Sequence, residues 1–303
     1  MPFDALYNHY LPFVEELSSI YNYDSNVTHL LKILIPLFAM KYEISNEKMI
    51  LDVFKKVPIV FEDSFNSDDV NALYLSRPVR RNGEITLIQQ IIINGRKDNL
   101  LYLSFLENMV HEYLHAFNSY RNSHHADNTF LCLRTGLSNS VFDKDTLKFI
   151  KHDSSLLLEE VLNTKESEKL IQLLLEQNST LADVSIVLSS MKQEINGDFH
   201  ALGYRLPLLL VEKLITNSSF YHQALFYRLN GEIENFGMWF DSITNVDGSY
   251  KKFNQLLTKI VDLISNLEHV SFLLRGKNNR DIKKNLVLLN DIINLYLNHS
   301  ITG

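Results

Sequence analysis

At 303 residues and 46% hydrophobic content, the chain can bury a substantial core in one large domain or two smaller ones. A formal net charge of −7 argues against nucleic acid as the main partner, because phosphate binding calls for clustered Lys and Arg. Cys132 is the only cysteine, which excludes an intrachain disulfide.

The first residues, Met1-Pro2-Phe3-Asp4, carry neither the basic nor the apolar region of a secretory signal. The apolar run Ile33 to Met40 is too short to span a bilayer and contains Pro36. The expectation is a soluble, cytoplasmic protein without a membrane span, with export lacking a cleaved signal peptide left open. Residues 3–56 read as helices, with apolar groups from Leu11 to Leu17 and from Leu30 to Phe38. Strand signals follow at 57–62, then at 72–79 and 84–94 on either side of Asn82-Gly83, a hairpin signature. Within the last strand Ile85, Leu87, Ile91 and Ile93 alternate on one face.

The next segment carries the chemistry. Leu106, Met109, Val110, Tyr113, Leu114 and Phe117 recur at helical spacing and should face a core. Asn108, His111, His115 and Asn118 fall on another face, suited to a cleft. His111-Glu112-Tyr113-Leu114-His115 is an H-E-x-x-H motif on that helix. Its histidines stand one turn apart, so both imidazoles can reach a single Zn²⁺ at about 2.0–2.1 Å. Glu112 projects to one side, where it can take a proton from water without ligating the metal.

A catalytic zinc needs a third protein ligand and an open position. The candidates are Glu159 and Glu160, which follow Leu156-Leu157-Leu158 on an expected helix. An acid beside such an apolar run costs desolvation energy unless a charge pairs with it, and a zinc ion would be that charge. His124-His125 and Asp127 sit in a polar stretch, 122–128, that reads as a loop. From Ser154 the pattern is helical, at 154–177, 181–195, 205–216 and 219–230. Segments 249–272 and 279–298 read as an antiparallel pair around Arg275-Gly276-Lys277-Asn278.

These two motifs resemble those of the gluzincin metallopeptidases, and the compact minigluzincins in particular. That family carries H-E-x-x-H on one helix and a ligand glutamate on a second. Laid on its pattern, the ligand falls on Glu160, and Glu159 takes the place of an asparagine. On the sequence alone the choice between the two carboxylates stays open. Gly136-Leu137-Ser138 is similar to the glycine-leucine stretch between the family's two helices. The resemblance covers 57–245 and departs at Thr164, where an acid often orients a zinc histidine. Asn163, Glu166 or another acid would then do that work. The resemblance also implies a sheet edge above the zinc helix for an extended substrate, by strand addition. It further implies an oxyanion donor downstream, with Tyr204 the candidate and His200 its alternative.

The expected fold is α+β and mostly helical, with a zincin-like core and a small sheet preceding the zinc helix. Its expected parts are a helical segment at 1–56, a metallopeptidase domain at 57–245 and a helical hairpin at 246–303. The expected activity is zinc-dependent endoproteolysis of a peptide or protein substrate. His111, His115 and Glu160 hold the metal, Glu112 is the general base and Tyr204 assists. A zinc aminopeptidase, an inactive zincin-fold binding or regulatory protein, and a helical interaction protein with a chance motif are the alternatives.

Overall fold

The computed structural model describes residues 1–43, 46–62, 72–94, 103–120, 124–126, 129–153, 155–194, 205–266 and 272–300. The chain opens with α1 (Phe3–Tyr21), α2 (Ser25–Tyr42) and α3 (Glu47–Lys56). Strands β1 (Ile59–Glu62), β2 (Ala72–Arg81) and β3 (Glu84–Asn94) lead into helix α4 (Leu103–Asn118). Four short strands follow, β4 (His124–Ala126), β5 (Phe130–Thr135), β6 (Ser138–Asp143) and β7 (Phe149–His152). The remainder is helical: α5 (Leu156–Leu175), α6 (Ala182–Glu194), α7 (Arg205–Ile215), α8 (Ser218–Asn230), α9 (Ile233–Thr244), α10 (Ser249–Ser265) and α11 (Phe272–Ser300). The fold is therefore mostly helical α+β, and no helix among the described residues is long and apolar enough to cross a membrane.

The chain divides into two compact units, Met1–Tyr120 with Asn163–Ala201, and Arg121–Leu162 with Leu202–Gly303. In the first, Asp24 caps α2 by accepting the N–H groups of Asn26 and Val27 at 2.9 Å each. Nearly every apolar side of α2 is covered, including Leu30, Leu34, Ile35 and Phe38 at 0% exposure. The run around Pro36 is thus a core helix. Phe38 stacks on Phe117 with centroids 4.6 Å apart, and Phe54 lies 4.4 Å from Tyr113. These aromatic contacts seat the buried face of α4 on α2 and α3.

The sheet of this unit has the order β1-β3-β2, with β1 parallel and β2 antiparallel to β3. Asn82 and Gly83 both take positive φ, 52° and 84°, as the tight hairpin turn between β2 and β3 requires. The turn sets the register from Arg81 opposite Glu84 to Ala72 opposite Ile93. The alternation expected in β3 holds poorly. Ile91, Ile92, Ile93 and Asn94 are all buried, whereas Leu87 is exposed. Only that end of β3 is paired on both sides, by β1 and β2. Among the described residues β2 is consequently an edge strand.

In the second unit β4-β5-β6-β7 form an antiparallel sheet that periodicity did not reveal. Its strands are short and rich in Ser, Asn and charge, and they turn at positive-φ positions such as Gly136 and Leu147. The stretch expected to be a loop at 122–128 contains β4. The helical core gathers Phe220, Phe236, Phe240, Phe253 and Tyr296, with Leu158, Val161 and Leu162 from the start of α5. Phe240 stacks on Tyr296 at 5.3 Å. Arg275-Gly276-Lys277-Asn278, expected to be a turn, lies inside α11. A single interior glycine costs about 1 kcal/mol in a helix, which a helix of this length readily offsets.

Candidate metal centre

Helix α4 buries the face its spacing foretold. Leu106, Met109, Val110, Tyr113, Leu114 and Phe117 are each 1% exposed or less. On the other face Asn108, His111 and Glu112 are half-buried, and His115 and Asn118 are buried. The His111 and His115 rings sit 5.0 Å apart at 74°. One nitrogen of each ring and a Glu160 carboxylate oxygen all lie within 4.8 Å of one another. The expected ligand set therefore converges, with His115 7% and Glu160 9% exposed.

Helix α5 brings Glu160 to that place through Asn163, one turn further on. The Asn163 amide donates to the His111 carbonyl at 3.4 Å and accepts from Asn118 Nδ2 at 3.1 Å. Residues three apart on a helix share a face, so docking Asn163 on α4 also aims Glu160. Glu166, one of the acids considered for orienting a histidine, forms an ion pair with Lys41.

A third residue sets the two adjacent acids apart. Glu159 is 0% exposed, and its carboxylate accepts Arg228 Nη2 at 2.6 Å and Arg228 Nε at 2.9 Å. It also accepts the Leu137 N–H at 2.8 Å. Gly136 makes room for it: a Cβ there would lie 2.2–2.4 Å from the Glu159 carboxylate atoms, and φ is +57°. Successive residues on a helix point about 100° apart, so Glu159 faces this pocket while Glu160 faces the histidines.

Glu112 has a partner that the sequence reading missed. The Tyr74 N–H of β2 donates to Glu112 Oε2 at 2.6 Å. The Tyr74 ring lies parallel to the His115 imidazole, 6.3 Å away at 11°, and its hydroxyl accepts from Gln89 Nε2 at 2.6 Å. One residue of β2 thus meets both Glu112 and His115. The signal for it was Pro78. Proline is tolerated in a sheet where its missing N–H faces off the edge, and Tyr74 shares that parity.

Two imidazole nitrogens and one carboxylate oxygen, close enough together to share one ion, are a donor set that zinc accepts. The residues present fit the ion. Tyr204 and His200 lie outside the described residues.

One turn before His111, Glu107 is 8% exposed, and its pKa is pushed up to about 7 by burial and by the charge of Glu168. An unfolded Glu loses its proton near 4.5. Between those two values the unfolded chain binds fewer protons than the folded one, so stability falls as pH rises from about 4.5 to about 7. Glu107→Gln should remove that loss, worth about 2–3 kcal/mol above the window. Melting curves at pH 5 and pH 8 check it, and an unchanged pH slope in the variant would reject the assignment.

No protein-family model, no curated protein and no solved structure matches this chain.

Proposed function

We propose that the chain is a zinc-dependent endopeptidase of the gluzincin type. The observation that carries this reading is the convergence of His111, His115 and Glu160, with Glu112 beside them on the same helix. His111, His115 and Glu160 would hold the ion. When bound, zinc polarises a carbonyl and makes water more acidic. Glu112 takes the proton of the attacking water and passes it to the leaving amine. The Tyr74 N–H holds Glu112 Oε2 and so orients the carboxylate that takes this proton.

The substrate strand would add to β2. In an antiparallel ladder alternate residues turn their N–H and C=O away from the paired strand. The Tyr74 N–H is engaged by Glu112, and Pro78 has none. Ser76 lies between them with the same parity, so it is the position from which an extended peptide would receive a main-chain hydrogen bond.

The test is metal content together with cleavage. Elemental analysis should find one zinc per chain. A peptide library should be cut at internal bonds, with cutting abolished by a chelator and restored by zinc. Removal of single N-terminal residues would favour an aminopeptidase. Stoichiometric zinc without cleavage would favour a zinc-binding protein, and absence of zinc would end this reading.

A further inference from the structure

We infer that the Glu159–Arg228 pair is a positioning device for the metal centre: it holds the start of α5 in one rotational setting and so makes Glu160 the single carboxylate ligand. The inference rests on the zinc reading proposed above.

The pair is poorly explained as a source of stability. Both side chains are 0% exposed, beside a hydrophobic core to which Leu137, Leu158, Val161 and Leu162 belong. Taking two charges out of water costs about as much as their attraction returns, and apolar side chains of similar volume serve such a core as well or better. A forked, two-point contact does something an apolar contact cannot, which is to fix direction. Arg228 Nη2 and Nε each take a different Glu159 oxygen, and the Leu137 N–H adds a third bond. Gly136, without a Cβ, lets the β5–β6 turn close onto the same carboxylate. Four elements of geometry therefore converge on a residue that has no place in the ligand set.

What they fix is the azimuth of α5. A rotation of about 100° would exchange Glu159 for Glu160 at the histidines. Apolar packing alone resists such slippage weakly, since Leu158, Val161 and Leu162 line much of the turn. The angle is therefore set by the polar contacts of Asn163 further along α5 and of Glu159 at its start. With Glu159 pinned, the rival carboxylate is withheld and Glu160 is held toward His111 and His115.

The experiment measures zinc affinity by competition with a chromophoric chelator, alongside circular dichroism and melting. The double variant Glu159→Met/Arg228→Met removes the charges and keeps the volume. It should fold with a melting temperature near that of the parent and bind zinc at least tenfold more weakly, since supporting residues around a metal typically contribute 10–100-fold to affinity. Affinity within threefold of the parent, in a folded double variant, would show that the pair is structural only. Should the double variant not fold, Arg228→Lys takes its place. It keeps the charge but loses the fork, and the same tenfold and threefold limits decide. A parent protein that binds no zinc would instead remove the reading on which the inference stands.

Discussion

Glu112→Gln is expected to retain zinc and the melting temperature of the parent while peptide hydrolysis falls by about 10²–10⁴-fold. The amide matches the carboxylate in shape but cannot accept a proton at pH 7. Its carbonyl oxygen can still receive the Tyr74 N–H that now reaches Oε2 at 2.6 Å, so the side chain should stay in place. None of the three proposed ligands is touched, because Glu112 lies outside the converging set of His111, His115 and Glu160. The variant therefore separates proton transfer from metal binding and from folding. Single-turnover rates and zinc content, measured on the same preparation, provide the check. A rate close to that of the parent on any peptide the parent cuts would remove Glu112 as the base.

Arg228→Met, as a single change, is expected to destabilise the fold by about 3–5 kcal/mol. The substitution removes the Arg228 Nη2 and Nε donors while Glu159 stays fully buried beside the Leu137 N–H. A carboxylate in that position must either stay charged without its counter-ion or take up a proton, and both cost folding energy. Urea denaturation should show a lower midpoint. Replacing both partners should return most of the loss, since the uncompensated charge is then absent. A single variant within about 1 kcal/mol of the parent would contradict the buried ion pair, whose removal should cost several times more.

The parts of this molecule that the sequence disclosed are those governed by local rules. The buried face of α4 follows from 3.6-residue spacing, and the β2–β3 turn follows from Asn82-Gly83. The convergence of His111 and His115 needs nothing more than one helical turn. Glu159 and Glu160 were within reach as a pair of neighbours, but telling their surroundings apart required Arg228, 69 residues beyond Glu159. No spacing rule links those positions. Tyr74 was hidden for a related reason, since its contribution is partly a main-chain N–H that carries no side-chain signature. The sheet from β4 to β7 escaped notice because strands such as Ser138–Asp143 are short and polar, and their pairing partners supply most of what defines them. In α11, the glycine and basic cluster suggested a break where the helix runs on without one.

The pocket around Glu159 also constrains how this protein can change over evolutionary time. Loss of either charge alone passes through an intermediate with a stranded ion in an apolar core. Any side chain at Gly136 would meet the carboxylate and would also have to accept a left-handed backbone. Positions 136, 159 and 228 are thus expected to drift together or not at all. In descendants of a common ancestor, an altered residue at one should be accompanied by compensating residues at the other two, even where the histidines and Glu160 are kept.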